Sequence, residues 1–168
     1  MPMIDGFLAE YDQENAGTRK MLERYPEGKN DWKPHDKSMS LTQLAGHLST
    51  LPNFAHMIAT TEHYDMGPND YKPFFPNTGK EAVERFDADS KKARDAMAKL
   101  SDADMHKNWI FSWQGKKVME LPRVAALRGF CFNHAVHHRG QLTVYYRLNG
   151  VPVPGLYGPS ADDKGGLG

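Results

Sequence analysis

Apolar residues recur along this chain with the period of an α-helix, and polar runs rich in proline or glycine interrupt them four times. The first periodic stretch covers residues 3–25, where Ile4, Leu8, Tyr11, Thr18, Leu22 and Tyr25 fall at helical spacing. Pro26 and Gly28 stop it. The connection at 32–38 has too much proline and charge for regular structure. A second helix begins near Ser40, whose spacing to Gln43 predicts a capping box ahead of an apolar run. At about 100° per residue, Leu44, Leu48, Leu51, Ala55 and Ile58 form one stripe. Pro52 has no amide hydrogen and crowds the turn before it, so it kinks or breaks this helix.

Residues 64–77 read as a loop containing Tyr64, Tyr71, Phe74 and Phe75. A third helix starts at Thr78, with Glu81 completing a second capping box, and turns Val83, Phe86, Ser90, Ala93, Met97 and Leu100 inward. Between 101 and 120, the apolar runs at 109–113 and 118–119 flank Gln114-Gly115 as a short hairpin or an ordered loop. The last helix opens at Pro122 and closes at Asn149-Gly150. Its inner face reads Leu127, Phe130, His134, His138, Gln141, Tyr145 and Leu148. The tail beyond 151 is rich in proline and glycine and frays after Lys164. Four amphipathic helices with little strand content predict an all-α four-helix bundle, and 168 residues suit one domain, 1–168.

Composition narrows the function classes. With 21 basic and 21 acidic residues the formal charge is zero, so nothing global attracts nucleic acid or an anionic membrane. The single cysteine, Cys131, excludes an intramolecular disulfide, fits a reducing cytoplasm and reads as a small buried hydrophobe. Residues 1–5 have neither the basic region nor the apolar run of a signal peptide, and no stretch approaches the ~20 apolar residues of a membrane span. The expectation is a soluble cytoplasmic protein.

The chemistry lies in His134-Ala-Val-His137-His138-Arg-Gly-Gln141. His134 and His138, at i and i+4, share a helical face and can address one metal ion. His137, about 60° away, leaves a His134/His137 pairing open. A mononuclear site needs a further ligand, and His47 is the best candidate, about 60° from the centre of the second helix's stripe; His56 and His63 lie outside that stripe on the solvated side. Three neutral imidazoles with an open position describe a catalytic site, where a divalent ion lowers the pKa of water to about 7 or polarises a bound oxygen or thiol. Gln141 and Tyr145 can hydrogen-bond a ligand or the solvent on the metal. Arg139 reads as a solvated or ion-paired residue, and Gly140 as a site of close helix packing.

Three segments carry a family resemblance. They are Trp32-Lys-Pro with Ser40-Leu-Thr-Gln-Leu-Ala-Gly-His47, then Asn133-His134-Ala-Val-His137-His138-Arg-Gly-Gln141, then Gly150-Val-Pro-Val-Pro-Gly-Leu-Tyr157-Gly-Pro-Ser-Ala-Asp162. In this order they resemble the DinB-like (YfiT/DinB) superfamily of four-helix-bundle metalloproteins. The resemblance implies a divalent-metal site at His47, His134 and His138, filled by nickel, zinc or iron, and a homodimer. It points to a metal-dependent transferase or hydrolase acting on a small molecule, with a low-molecular-weight thiol as one substrate class. Relatives include thiol S-transferases and a maleylpyruvate isomerase, and others are named only for DNA-damage induction, which describes regulation. A metal-stabilised stress-response or binding module without catalysis is the alternative. The substrate pocket is expected to draw on the aromatic loops at 64–77 and 105–120. Pro52, one turn beyond His47, is the departure that bears on the site.

Overall fold

The computed structural model describes residues 2–164. Helix α1 (Met3–Leu22) buries Ile4, Phe7, Tyr11, Thr18, Met21 and Leu22 along one face. In α2 (Leu41–Thr50) the capping box forms in both directions, with the Gln43 amide donating to Ser40 Oγ and the Ser40 amide to Gln43 Oε1. Pro52 then breaks the helix and becomes the first residue of α3 (Pro52–Thr60), a position where its missing N–H is not needed. Helix α4 (Gly79–Met97) is capped by Thr78, whose side chain accepts from the Glu81 amide; Glu81 accepts from the Asn77 amide, one residue beyond the Thr78 amide that a full box would use. A single-turn helix, α5 (Asp102–His106), follows.

The all-α expectation is corrected by a small mixed sheet. Strands β2 (Asn108–Trp113) and β3 (Lys116–Pro122) form an antiparallel hairpin with a bulge between Phe111 and Ser112. Its turn is Gln114-Gly115, at φ 51 and 76, the doubly left-handed pair that matches strand twist. Strand β1 (His63–Met66), expected as loop, pairs parallel with β2. Parallel neighbours need a long crossover, which α4 and α5 supply. The architecture is therefore mostly helical with a three-stranded sheet in the order β1-β2-β3.

The last helical run has three parts, α6 (Arg123–Leu127), a π-helical turn (Arg128–Asn133) and α7 (His134–Leu148). It closes on Gly150 at φ 68, with the Val151 and Gly150 amides donating to the Tyr146 and Arg147 carbonyls, a Schellman ending. The π turn shifts the helical phase. Buried positions on α7 are Arg139, Leu142, Tyr145 and Tyr146, whereas Gln141 and Leu148, expected inside, are exposed. Arg139 is 2 % exposed and pairs with Glu14 at 2.5 Å, while its Nη1 donates to the Glu14 carbonyl at 2.7 Å. The same guanidinium donates to Tyr157, and the Tyr157 hydroxyl donates to Glu14 Oε2 at 2.7 Å, which fastens the tail to α1. Gly17 permits this, since a Cβ there would lie 2.9 Å from Arg139 Nη1. Gly140 has open space around its Cβ position, so close packing does not explain it.

Two core clusters result. Leu44 and Leu48 join Met21, Phe86 and Tyr146 in one; Ala55 and Ile58 join Phe7, Trp109 and Leu127 in the other. The Pro52 break and the π turn thus coincide with the seam between them. Buried Arg123 donates to the carbonyls of Ile58, Thr61 and Asp104, closing the end of α3 against α5. Among the described residues no helix is long and apolar enough to cross a membrane. The frayed end expected at 165–168 lies outside the described residues.

Candidate metal centre

His47 projects from α2, one turn before its end, and His134 and His138 project from the start of α7. The rings form a compact triangle, with centroids 5.0 Å apart for His47–His134 and 4.6 Å for each of the other two pairs. His47 Nε2 lies 3.2 Å from His134 Nε2, and one ligand nitrogen from each ring falls within 4.8 Å of the others. Metal–imidazole bonds of ~2.0–2.1 Å in tetrahedral array need nitrogen separations of about 3.3 Å, which the His47–His134 pair already meets. No carboxylate or thiolate joins this group among the described residues.

The far side of each ring is also engaged. His138 Nδ1 donates to Gln141 Oε1 at 2.8 Å. His134 hydrogen-bonds to the Phe130 backbone within the π turn, and the Tyr71 hydroxyl stands 3.4 Å from His47 Nδ1. Holding the outer nitrogen in this way fixes the ring and leaves the inner nitrogen's lone pair free, the arrangement that supports a metal-binding histidine. The donor set fits a borderline divalent ion such as zinc, nickel or iron.

Electrostatics favour neutral rings. Burial, then the neighbouring His138 and His134, pushes the His47 pKa down to about 4. His134 and His138 are lowered chiefly by burial, with the Phe130 and Gln141 hydrogen bonds opposing the shift. At neutral pH all three imidazoles can therefore offer lone pairs without first losing a proton.

The other sequence candidates fall at varying distances from the trio. His137 is exposed and stacks edge-on against His138 at 4.9 Å, outside the convergent set. Tyr145 points elsewhere: its hydroxyl donates to the Met39 carbonyl at 2.9 Å and its ring packs on Trp32. His63 is exposed on β1, 2.9 Å from Ser112 Oγ, whereas His56, expected on the solvated side, is half-buried on α3. Cys131 is buried, and burial pushes its thiol pKa well up.

Two contributors escaped the sequence reading. Gly46 precedes His47, and a Cβ there would sit 1.8 Å from the Phe74 carbonyl oxygen. Its bare backbone lets the segment 71–76 lie directly on α2, secured by the Thr42 hydroxyl donating to the Pro76 carbonyl at 2.8 Å. That contact delivers Tyr71 to His47. A glycine inside a helical pattern was the available signal. Beside Tyr71 opens a cleft of about 240 Å³ lined by Thr50, Phe54, Met57, Tyr64, Tyr71 and Arg85 among others. Tyr64, Met66 and residues 70–72 of the first aromatic loop line it, and residues 105–120 do not.

Comparison with known proteins agrees with this architecture. A DinB-like protein from Bacillus cereus ATCC 10987 shares the fold with a TM-score of 0.71 at 23% identity, over 91% of this chain and 97% of that one. The DinB-like protein YjoA of Bacillus subtilis gives a TM-score of 0.64 at 16% identity, covering 86% and 94% of the two chains. The uncharacterized protein YrdA of Bacillus subtilis (strain 168) is 50% identical over 34 residues, 20% of this chain and 20% of its own length. The model of the DinB family matches residues 3–165, nearly the whole chain, and the protein belongs to that family.

Proposed function

We propose that the protein is a divalent-metal-dependent enzyme acting on a small molecule, as a transferase using a low-molecular-weight thiol or as a hydrolase. The observation that carries this reading is the set of three convergent imidazoles without a fourth protein donor among the described residues. Closed tetrahedral sites serve structure, whereas sites with three protein ligands leave a position for reacting groups. When bound, a divalent ion supplies Lewis-acid polarisation and makes a thiol or water more acidic.

The chain's own residues have separable tasks. His47, His134 and His138 would hold the ion through their inner nitrogens, and Gln141 and the Phe130 backbone keep two of the rings oriented. Tyr71 presents its hydroxyl between His47 and the cleft, where it can hydrogen-bond a substrate. Phe54 and Met57 give that side of the cleft apolar surface.

Elemental analysis of purified protein, followed by cobalt substitution, tests the proposal. About one metal per chain, a visible spectrum that changes on adding azide or thiol, and loss of activity in His138→Ala are the expected results. Absence of retained metal together with unchanged activity of His138→Ala in thiol-transfer and hydrolysis panels overturns it. A cobalt spectrum indifferent to azide and thiol, with a large drop in Tm on chelation, favours a metal-stabilised binding module instead.

A further inference from the structure

Three charged side chains line the cleft beside the histidine centre, and two are already occupied. Asp70 accepts the Gly67 amide at 2.7 Å within its own turn. Arg85 pairs with Asp89 at 2.5 Å, and its guanidinium lies 5.5 Å from the centre of the Phe74 ring. Asn53 donates to the same Asp89 oxygen at 2.7 Å, which completes that arrangement. Lys72 differs: among the described residues no carboxylate pairs with its ammonium. Lys72 is therefore the cation of the cleft left without an ionic partner among the described residues, and Asp70, held by an amide and by no cation, is its uncompensated carboxylate.

The remaining walls favour a flat apolar guest. Phe54 and Tyr64 contribute rings, and Met57 a polarisable thioether that moulds to irregular shapes. The volume of about 240 Å³ exceeds the ~150 Å³ cavity that accommodates benzene, leaving space for one ring and a short chain. Tyr71 sets the direction, because it lines the cleft and also touches His47.

We propose that this cleft binds a small carboxylate with an aromatic or similarly flat apolar body. The body lies on Phe54, Met57 and Tyr64, the carboxylate pairs with Lys72, and the ligand sits beside the histidine centre. As an assignment of substrate class, this rests on the reading of that centre as an active site; binding itself needs no metal.

Phenylacetate, with neutral phenylacetamide as control, is the probe. Titrated into metal-free protein and followed by NMR, phenylacetate is expected to bind saturably and to shift the Met57 methyl resonance. The amide should bind about 1.5-fold to 5-fold more weakly, the range for an exposed charge pair. Exposed Lys72→Met should remove that preference without affecting the amide. Equal binding of acid and amide, an unaltered preference in Lys72→Met, an unmoved Met57 signal or no saturable binding overturns the inference. In cobalt-loaded protein the protons of bound phenylacetate should relax faster than in zinc-loaded protein, and equal rates overturn the placement. Probe binding with the Lys72 signature but no turnover with any metal keeps the pocket and rejects the catalytic reading. Metal-dependent turnover without probe binding does the reverse.

Discussion

His138 and Arg139 are neighbours on α7, yet they enter opposite kinds of polar cluster. Arg139 is enclosed by the Glu14 carboxylate and carbonyl, the Thr18 hydroxyl and Tyr157, so its donors meet protein acceptors on several sides. His138 turns toward His134 and His47, where each ring brings a further nitrogen and no counter-charge. A saturated cluster ties elements together and has nothing left to offer a ligand. The unsaturated one leaves lone pairs converging on a point that the chain does not fill. Satisfaction of hydrogen-bonding groups, more than burial alone, separates the architectural cluster from the candidate metal centre.

Mutation should expose this contrast. Arg139→Met strands the largely buried Glu14 carboxylate and should cost about 3 kcal/mol in urea denaturation, as for a broken buried pair. His138→Ala in metal-free protein should cost less than about 1 kcal/mol, and equal losses in the two variants would break the comparison. Gly46→Ala drives a Cβ into the Phe74 carbonyl and should lower stability by about 1–3 kcal/mol, read from thermal melts, while weakening metal binding through the displaced Tyr71 segment. Gln141→Ala should leave the metal-free melt unchanged but reduce metal affinity about 10-fold to 100-fold in competition with a chromophoric chelator.

The smallest effect is in the pH dependence of metal-free protein. His47 is held near pKa 4 in the fold against an ordinary 6.5, so between those values the unfolded chain binds more protons. Its contribution is full above about pH 6.5 and declines as pH falls toward 4, below which the slope vanishes. Because the ring is partly open to solvent the change is modest. His47→Gln should flatten the corresponding part of a plot of urea midpoint against pH.

Local patterns carried the helices well. The Ser40–Gln43 box, the Thr78 cap, Pro52 and Gly150 act through neighbours in sequence and therefore showed in it. The Gln114-Gly115 turn was visible for the same reason. Strand β1 was not, because Tyr64-Asp65-Met66 becomes a strand only through a parallel partner more than forty residues away. His47, His134 and His138 could be placed on facing helices because a charged or ligating side chain on an apolar arc stands out. Tyr71, Gly46 and the role of Arg139 depend on which segments meet, and periodicity is silent about that. Gln141 and Leu148 fall on the wrong side because a single stripe through 127–148 crosses the π turn, beyond which the buried face is displaced.

That turn has a consequence for how the site can be lost. A π turn holds about one residue more than an α turn, so the extra residue is taken up within 128–133 and the sequence pattern beyond it is displaced by about 100° from that of an unbroken α-helix. Removing one residue as the turn straightens would keep the bearing of His134 and His138. Forcing residues 128–133 into an unbroken α-helix with no residue removed would instead carry them round by about 100°, away from His47, with every imidazole still present. The composition of the candidate metal centre would survive such a straightening; its aim would not.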